Sequence, residues 1–527
     1  MKSPRRSKVL IPGKAWLAMK PYTRFTSYDQ YYINLASAIL QEYKQFPELS
    51  DKNFEIPNVA ETLALVLTSY MEDVINQIGI WQAFTEANKE QLGYYLPFID
   101  EEDEPYEPGV FDFRDLHYLV WHFFNKAKDT FFTPDSNFIN LLADIAWEVM
   151  EPAFDDAPET DFYEAYLAIS DDTPFFELKE RLHWFAIKSY VLQFEFGPAL
   201  KDTYKELIEK NPHLVGAQAI LYQLMDEYAF SEPSSYGGLT VPQWLASVAG
   251  VSPEMKTQMF NLRNRLAGFF QYLGSTDAYH QVRPAHSSET LDMTKASIEI
   301  PPKTKAGDWL FMTLVSYWGE FWMSGMMANY GQTDEQELAP PKLPFAMRSK
   351  HEQELAWEHM SKMEEDFRAE FGDLVYISTD SEDLKTRMGA FWLRNAAENP
   401  DMTPPLDESM LNAMYEGLPQ TPGTAVVFVS GEGLLFDPGA GETLNLLRQP
   451  GIADQKTRND LFNGLLNAHP VSLAHLLREV PGTPVWFPSA QSQFDMRPYL
   501  EFLSRYVQPE LYLPRVPNMK MTENPDD

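Results

Sequence analysis

Apolar side chains recur every three to four positions through about the first 230 residues, which is the spacing of one buried face on an α-helix. Ser27-x-x-Gln30 has capping-box spacing, and Tyr32, Leu35, Ala36, Ile39, Leu40 and Tyr43 follow it on one stripe. Asn58-x-x-Glu61 opens a second helix bearing Leu63, Val66, Leu67, Tyr70, Met71, Val74 and Ile78. Periodicity predicts further helices over 113–128, from Ser136 to a stop at Pro152, and over 175–195 and 199–227. A short helix near Trp244 comes next. A longer one then carries Met255, Met259, Leu262, Leu266, Phe269, Phe270 and Leu273.

Beyond that point the period changes. Stretches 279–282, 290–300 and 308–330 are rich in β-branched and aromatic residues and lack helical spacing. Gly319-Glu320 divides the last of these into two strands, as a tight turn with positive φ at the glycine. Alternation sets Trp309, Phe311, Thr313, Val315 and Tyr317 on one face, and Leu310, Met312, Leu314 and Trp318 on the other. A strand apolar on both faces is covered twice or presents an aromatic platform, for which Trp309, Trp318 and Trp322 are the candidates. Pro340, Pro341 and Pro344 mark a linker. Helices at 350–371 and 381–397 then flank a strand at 374–379. A hairpin at 424–436 leads to helices near 441–449, 456–468, 470–479 and 497–507.

These elements predict an α+β fold with a basic arm at 1–24 and an aromatic-rich α-helical domain at 25–228. A connector with a small antiparallel β module fills 229–331, a Pro-rich linker 332–349, and a small α/β domain with a C-terminal tail 350–527. A chain of 527 residues is long enough for several such units.

Charge narrows the functional classes. The formal net charge is −35, yet residues 1–24 hold seven Lys or Arg and no acid, leaving the remainder at −42. Such a body repels nucleic-acid phosphates and anionic lipid, so neither is expected as a partner; a basic protein is. Between Lys128 and Lys179 stand 13 carboxylates and no basic residue, and 100–104 is acidic throughout. The first residues lack an apolar export core, which predicts a cytoplasmic protein. With no cysteine, thiol chemistry and Cys-ligated metals are excluded.

Familiar catalytic motifs are missing. Gly431-Glu-Gly433 and Gly439-Ala-Gly441 lack the rest of a nucleotide loop, and no G-x-S-x-G elbow surrounds Ser324 or Ser430. Glu61, His117, His122 and Glu148 are the candidates for an acid–base site, because a helical bundle can bring Glu and His together from different helices. His351, Glu354 and Glu358, with Glu365, share about 60° of a helical wheel and are the candidate metal ligands. Ala356, Met360, Met363 and Phe367 opposite them read as the buried face of an amphipathic helix.

Trp16-Leu-Ala-Met-Lys-Pro-Tyr22, Asp29-Gln-Tyr-Tyr32 and Leu119-Val-Trp-His-Phe-Phe-Asn125 together resemble a domain-of-unknown-function family of gut bacteria, over the N-terminal half only. That resemblance implies a bacterial, cytoplasmic source and transfers no catalytic residue. The sequence therefore predicts a non-catalytic interaction protein without a cofactor. A hydrolase or metal-dependent enzyme sited in the helical domain is the alternative, and ligand or peptide binding by the β module is a third.

Overall fold

The computed structural model describes residues 10–49, 58–99, 105–127, 131–210, 217–341, 343–398, 406–449, 454–488 and 494–517. The backbone divides into two compact units, 1–342 and 343–527. The acidic run at 100–104 and the first nine residues lie outside the described residues.

In the first unit, α1 (Gly13–Leu17), α2 (Ser27–Tyr43), α3 (Val59–Ile75) and α4 (Ile80–Leu92) precede α5 (Phe113–Ala127), α6 (Asn137–Phe154) and α7 (Phe162–Leu167). Then come α8 (Phe175–Lys188), α9 (Gln193–Lys210), α10 (Ala217–Phe230), α11 (Val241–Val248) and α12 (Pro253–Asn261). Trp16, Trp81, Trp121, Tyr32, Tyr70, Tyr118, Phe84 and Phe124 are all buried, so aromatic rings fill this core. The capping box of α2 sits one residue earlier than the spacing suggested. Thr26 N–H and Oγ1 both donate to Asp29 at 2.7 Å. Asp29 also accepts from Trp16 Nε1 (3.0 Å) and Tyr22 (2.8 Å), so residues 10–24 are built into the domain instead of trailing from it. The box expected at Asn58 does not form: Asn58 is left-handed (φ 54°) and makes no side-chain cap. Pro152 does not end α6, which continues to Phe154.

The helix expected through Leu273 stops at Asn261, and Leu266–Ser275 is strand β1. With β2 (Tyr279–Pro284), β3 (Leu291–Thr294), β4 (Trp309–Tyr317) and β5 (Glu320–Gly331) it closes a barrel of order β1-β2-β3-β5-β4. All pairings are antiparallel except β3 with β5, registered at Met293 and Phe321. Leu310, Met312 and Leu314 line the interior, each fully buried. The opposite face of β4 is covered too. Tyr317 donates to the Thr173 carbonyl ahead of α8, and Trp309 packs with Ala285, Leu338 and Phe269. Strand β1 itself alternates, with Leu266, Gly268 and Phe270 buried and the residues between them half-buried, although its apolar side chains also recur at helical spacing.

The second unit carries α13 (Lys350–Phe371), β6 (Val375–Ile377), α14 (Ser381–Glu398), α15 (Glu408–Glu416), β7 (Ala425–Val429) and β8 (Gly433–Asp437). It ends in α16 (Ala440–Leu447), α17 (Gln455–Asn467), α18 (Pro470–Glu479) and α19 (Leu500–Val507). The three strands form an antiparallel sheet centred on β7. Phe367, Leu384, Met388, Phe391, Val426 and Phe428 make its core with α13 and α14. Among the described residues no helix is long and apolar enough to cross a membrane.

Candidate functional site

Helix α3 brings Glu72 and Asp73, adjacent in sequence, into the interior of the helical domain, and α5 adds Asp115. Each is held by phenols. Glu72 accepts from Tyr28 (2.8 Å) and Tyr163 (3.4 Å) and pairs with Lys20, whose ammonium lies 3.5 Å from the Trp16 ring centroid. Asp115 accepts from Tyr106 (2.7 Å) and Tyr70. Asp73 accepts from Tyr190 (2.8 Å) and from the backbone N–H of Ile80 (3.1 Å) and Trp81 (2.8 Å), which caps α4 from another helix. Burial outweighs these donors, raising Asp73 to about 6 and Asp115 to about 7. Burial likewise raises Glu72 and lowers Lys20, against their mutual attraction.

One flank of this network opens into a cleft of about 450 Å³. The end of α3 and the start of α4 supply Asp73, Gln77, Trp81 and Gln82, and segment 108–111 supplies Phe111. Phe154 and Glu159 complete the lining. Phe111 lies parallel between Trp147 and Phe154, each 5.0 Å away between centroids. Gln77 holds a left-handed backbone (φ 49°) in the tight α3–α4 turn. The lining has no Lys or Arg, and the neighbouring Glu151, Asp155, Asp156 and Asp161 are exposed. Such a site suits a cation with an apolar body. It offers nothing to a phosphate.

A second polar cluster joins α8, α10 and β5. Asp226, fully buried, accepts from His183 Nε2 (2.7 Å), Lys179 Nζ (2.9 Å) and Ser324 Oγ (2.5 Å), and Lys179 also reaches Ser324 at 3.1 Å. Burial alone would raise Asp226, but the His183 hydrogen bond and the Lys179 charge hold it below the usual carboxylate range. Ser324 is 1% exposed. The group therefore fastens barrel to helices. Only the i, i+4 spacing of Lys179 and His183 hinted at it in the sequence.

The four residues considered for acid–base chemistry do not share the cleft. Glu61 borders a separate hollow of about 440 Å³ with Tyr43 and Lys44, and Glu148 is exposed on α6. His117 hydrogen-bonds Asn140 Oδ1 at 2.8 Å, with burial lowering its pKa. His122 packs 4.0 Å from the Tyr236 ring and is driven well below its ordinary value by burial and then by Lys126. His351, Glu354 and Glu358 are exposed on α13, opposite buried Ala356, Met360 and Phe367. Among the described residues no three His, Asp or Glu are grouped to hold a metal ion. Of the tryptophans, Trp309 is buried. Trp318 and Trp322 share a run of rings with Phe175, Phe176 and Tyr317.

The fold and cleft thus describe an aromatic-cored helical domain followed by a small closed barrel and a separate α/β unit. Residues 10–262, the N-terminal half, match the family described as "Protein of unknown function (DUF3843)". The matched segment runs from just ahead of α1 to the residue after α12, so it contains the whole cleft and stops before the barrel. No curated protein and no solved structure matches the chain.

Proposed function

We propose that the chain is a non-catalytic binding protein whose helical domain takes a small primary amine with an apolar ring into the cleft beside Asp73. The observation that carries this is the lining: Phe111, Phe154 and Trp81 with Asp73 and Glu159, free of Lys and Arg, under a rim of exposed carboxylates. Aromatic faces attract an ammonium, and stacked exposed acids focus cations toward the mouth. The volume is that of an ordinary small-molecule pocket. A cytoplasmic setting and a basic protein partner belong to the same reading, since a lysine side chain on a partner offers the same ammonium. The strong negative charge disfavours nucleic acid.

Titration of tryptophan fluorescence with phenethylamine and with phenethyl alcohol tests the reading. One saturable amine site that the alcohol fills at least about tenfold more weakly supports it. Equal binding of both, or binding of neither, overturns it.

A further inference from the structure

The barrel lies outside the family segment, and its first hairpin holds a polar chain that the cleft does not use. Strand β1 bulges between Tyr272 and Gly274, where its pairing with β2 slips by one residue. Gly274 absorbs the distortion at φ 141°, a conformation that residues with a side chain rarely adopt. Alternation alone would set Tyr272 and Ser275, three residues apart, on opposite faces of the strand. The extra residue brings them together, with Tyr272 Oη 2.7 Å from Ser275 Oγ. Ser275 also pairs across the hairpin with His280, its Oγ 2.7 Å from Nδ1. His280 Nε2 lies 3.1 Å from the Ile298 carbonyl oxygen. A carbonyl only accepts, so Nε2 carries the proton of the neutral ring and Nδ1 is left as the base. Burial lowers the pKa of His280 against the Ile298 hydrogen bond, and the Lys295 charge lowers it further, which keeps the ring neutral at pH 7. Ser275 therefore donates to Nδ1, and Tyr272 donates to Ser275. His280 is buried, whereas Ser275 is exposed, and a side chain added at the adjoining Gly274 would meet nothing within 4 Å.

We infer that Ser275 is an acyl-acceptor site, a hydroxyl that takes the acyl group of a small activated ester or thioester. Ser275, His280 and the Ile298 carbonyl stand in the order nucleophile, base and orienting group. In the transfer, Ser275 Oγ bonds to the acyl carbon and its proton passes to His280 Nδ1. The bond from that carbon to the leaving oxygen or sulfur breaks, and the leaving group takes the proton from Nδ1. The ring returns to its neutral form with an ester on Ser275, and the phenol of Tyr272 offsets charge gathering on Oγ as its proton departs. Acyl transfer is favoured over phosphoryl transfer because the latter rests on cations clamped to the moving group. Arg283, on the same strand as His280, is committed to Glu335 through hydrogen bonds of 2.8 and 2.9 Å. A nucleophile touching its base is what acyl transfer asks for, and the bulge supplies it. The hairpin provides this one transfer step, so the site is a place of covalent modification and stands beside the amine-binding reading of the helical domain.

The full chain is tested with p-nitrophenyl acetate at pH 7, following acetylation of individual residues over time by peptide mass spectrometry. Ser247 and Ser288, also exposed, serve as references within the same molecule. Acetylation of Ser275 about 100-fold or more faster than of either reference supports the inference, since a positioned base contributes on that order. The rate at Ser275 should also fall about tenfold or more in His280→Gln, with a thermal melt matching wild type as the check on folding. Acetylation of Ser275 no faster than of Ser247 and Ser288, or a rate undiminished in folded His280→Gln, overturns it. Should His280→Gln melt early, the wild-type ratio decides alone. No amine is present in this assay, so the reading of the cleft stands or falls separately.

Discussion

Replacing Lys20 by methionine removes an ammonium whose side chain is 3% exposed from a carboxylate whose side chain is 2% exposed. The stem and its packing stay, so the change isolates the charge. At about 3 Å and an effective dielectric of about 20, the lost attraction is on the order of 5 kcal/mol, partly offset because the ammonium no longer has to be desolvated. Tyr28 and Tyr163 still donate to Glu72, which moderates the damage. A net destabilisation of about 3 kcal/mol is expected, measured as the shift in urea midpoint of the helical unit at pH 7. Glu72→Gln in the same background removes the orphaned charge and restores about 2 kcal/mol. The pH dependence follows from the sign. Without Lys20 the folded pKa of Glu72 climbs further above its unfolded value. Proton uptake then favours the fold, and the deficit shrinks as pH falls from 8 to 5. A loss under about 1 kcal/mol, or a deficit constant across that range, refutes the burial of this pair.

Two other substitutions probe neighbouring groups. Asp115 titrates near 7 when folded and near 3.8 when unfolded, so its folded form binds an extra proton between those values and gains stability as pH falls. Asp115→Asn should remove up to about 1.4 kcal/mol per pH unit of that slope between pH 7 and 5, read from urea midpoints; an unchanged slope contradicts the assignment. Asp226→Asn should destabilise the first unit by about 2–3 kcal/mol and speed amide exchange in β5 before α3, whereas uniform exchange would deny that the cluster fastens the barrel.

Local periodicity made α2, α5 and α6 legible, and the turn expected at Gly319-Glu320 falls one residue earlier, on Trp318-Gly319, with the positive φ at Gly319 as expected and Glu320 opening β5. Where partners come from afar, the sequence was silent. Helix α4 starts at a glycine with no local cap, since Asp73 of α3 supplies the acceptor. Lys20 counted as one charge of a basic arm, but its burial depends on Glu72, 52 residues on. Helix and strand could not be separated over 262–273, because Leu262, Leu266, Phe269, Phe270 and Leu273 recur at helical spacing although β1 alternates in burial. The acidic tract of 129–178 was visible and is exposed at Asp144, Glu148, Glu151, Asp155, Asp156 and Asp161. The cleft beside it was not visible: Phe111 falls between predicted helices, and only folding stacks it on Trp147 and Phe154.

The amine cleft is tested most directly by isothermal titration of phenethylamine into wild type and Glu159→Lys, a reversal of an exposed charge at the cleft wall that leaves the core intact. One site of 1:1 stoichiometry in wild type, weakened about tenfold or more by the reversal, is the predicted result. Identical titrations of the two proteins, or heat scaling with many weak sites and abolished by salt, would contradict it.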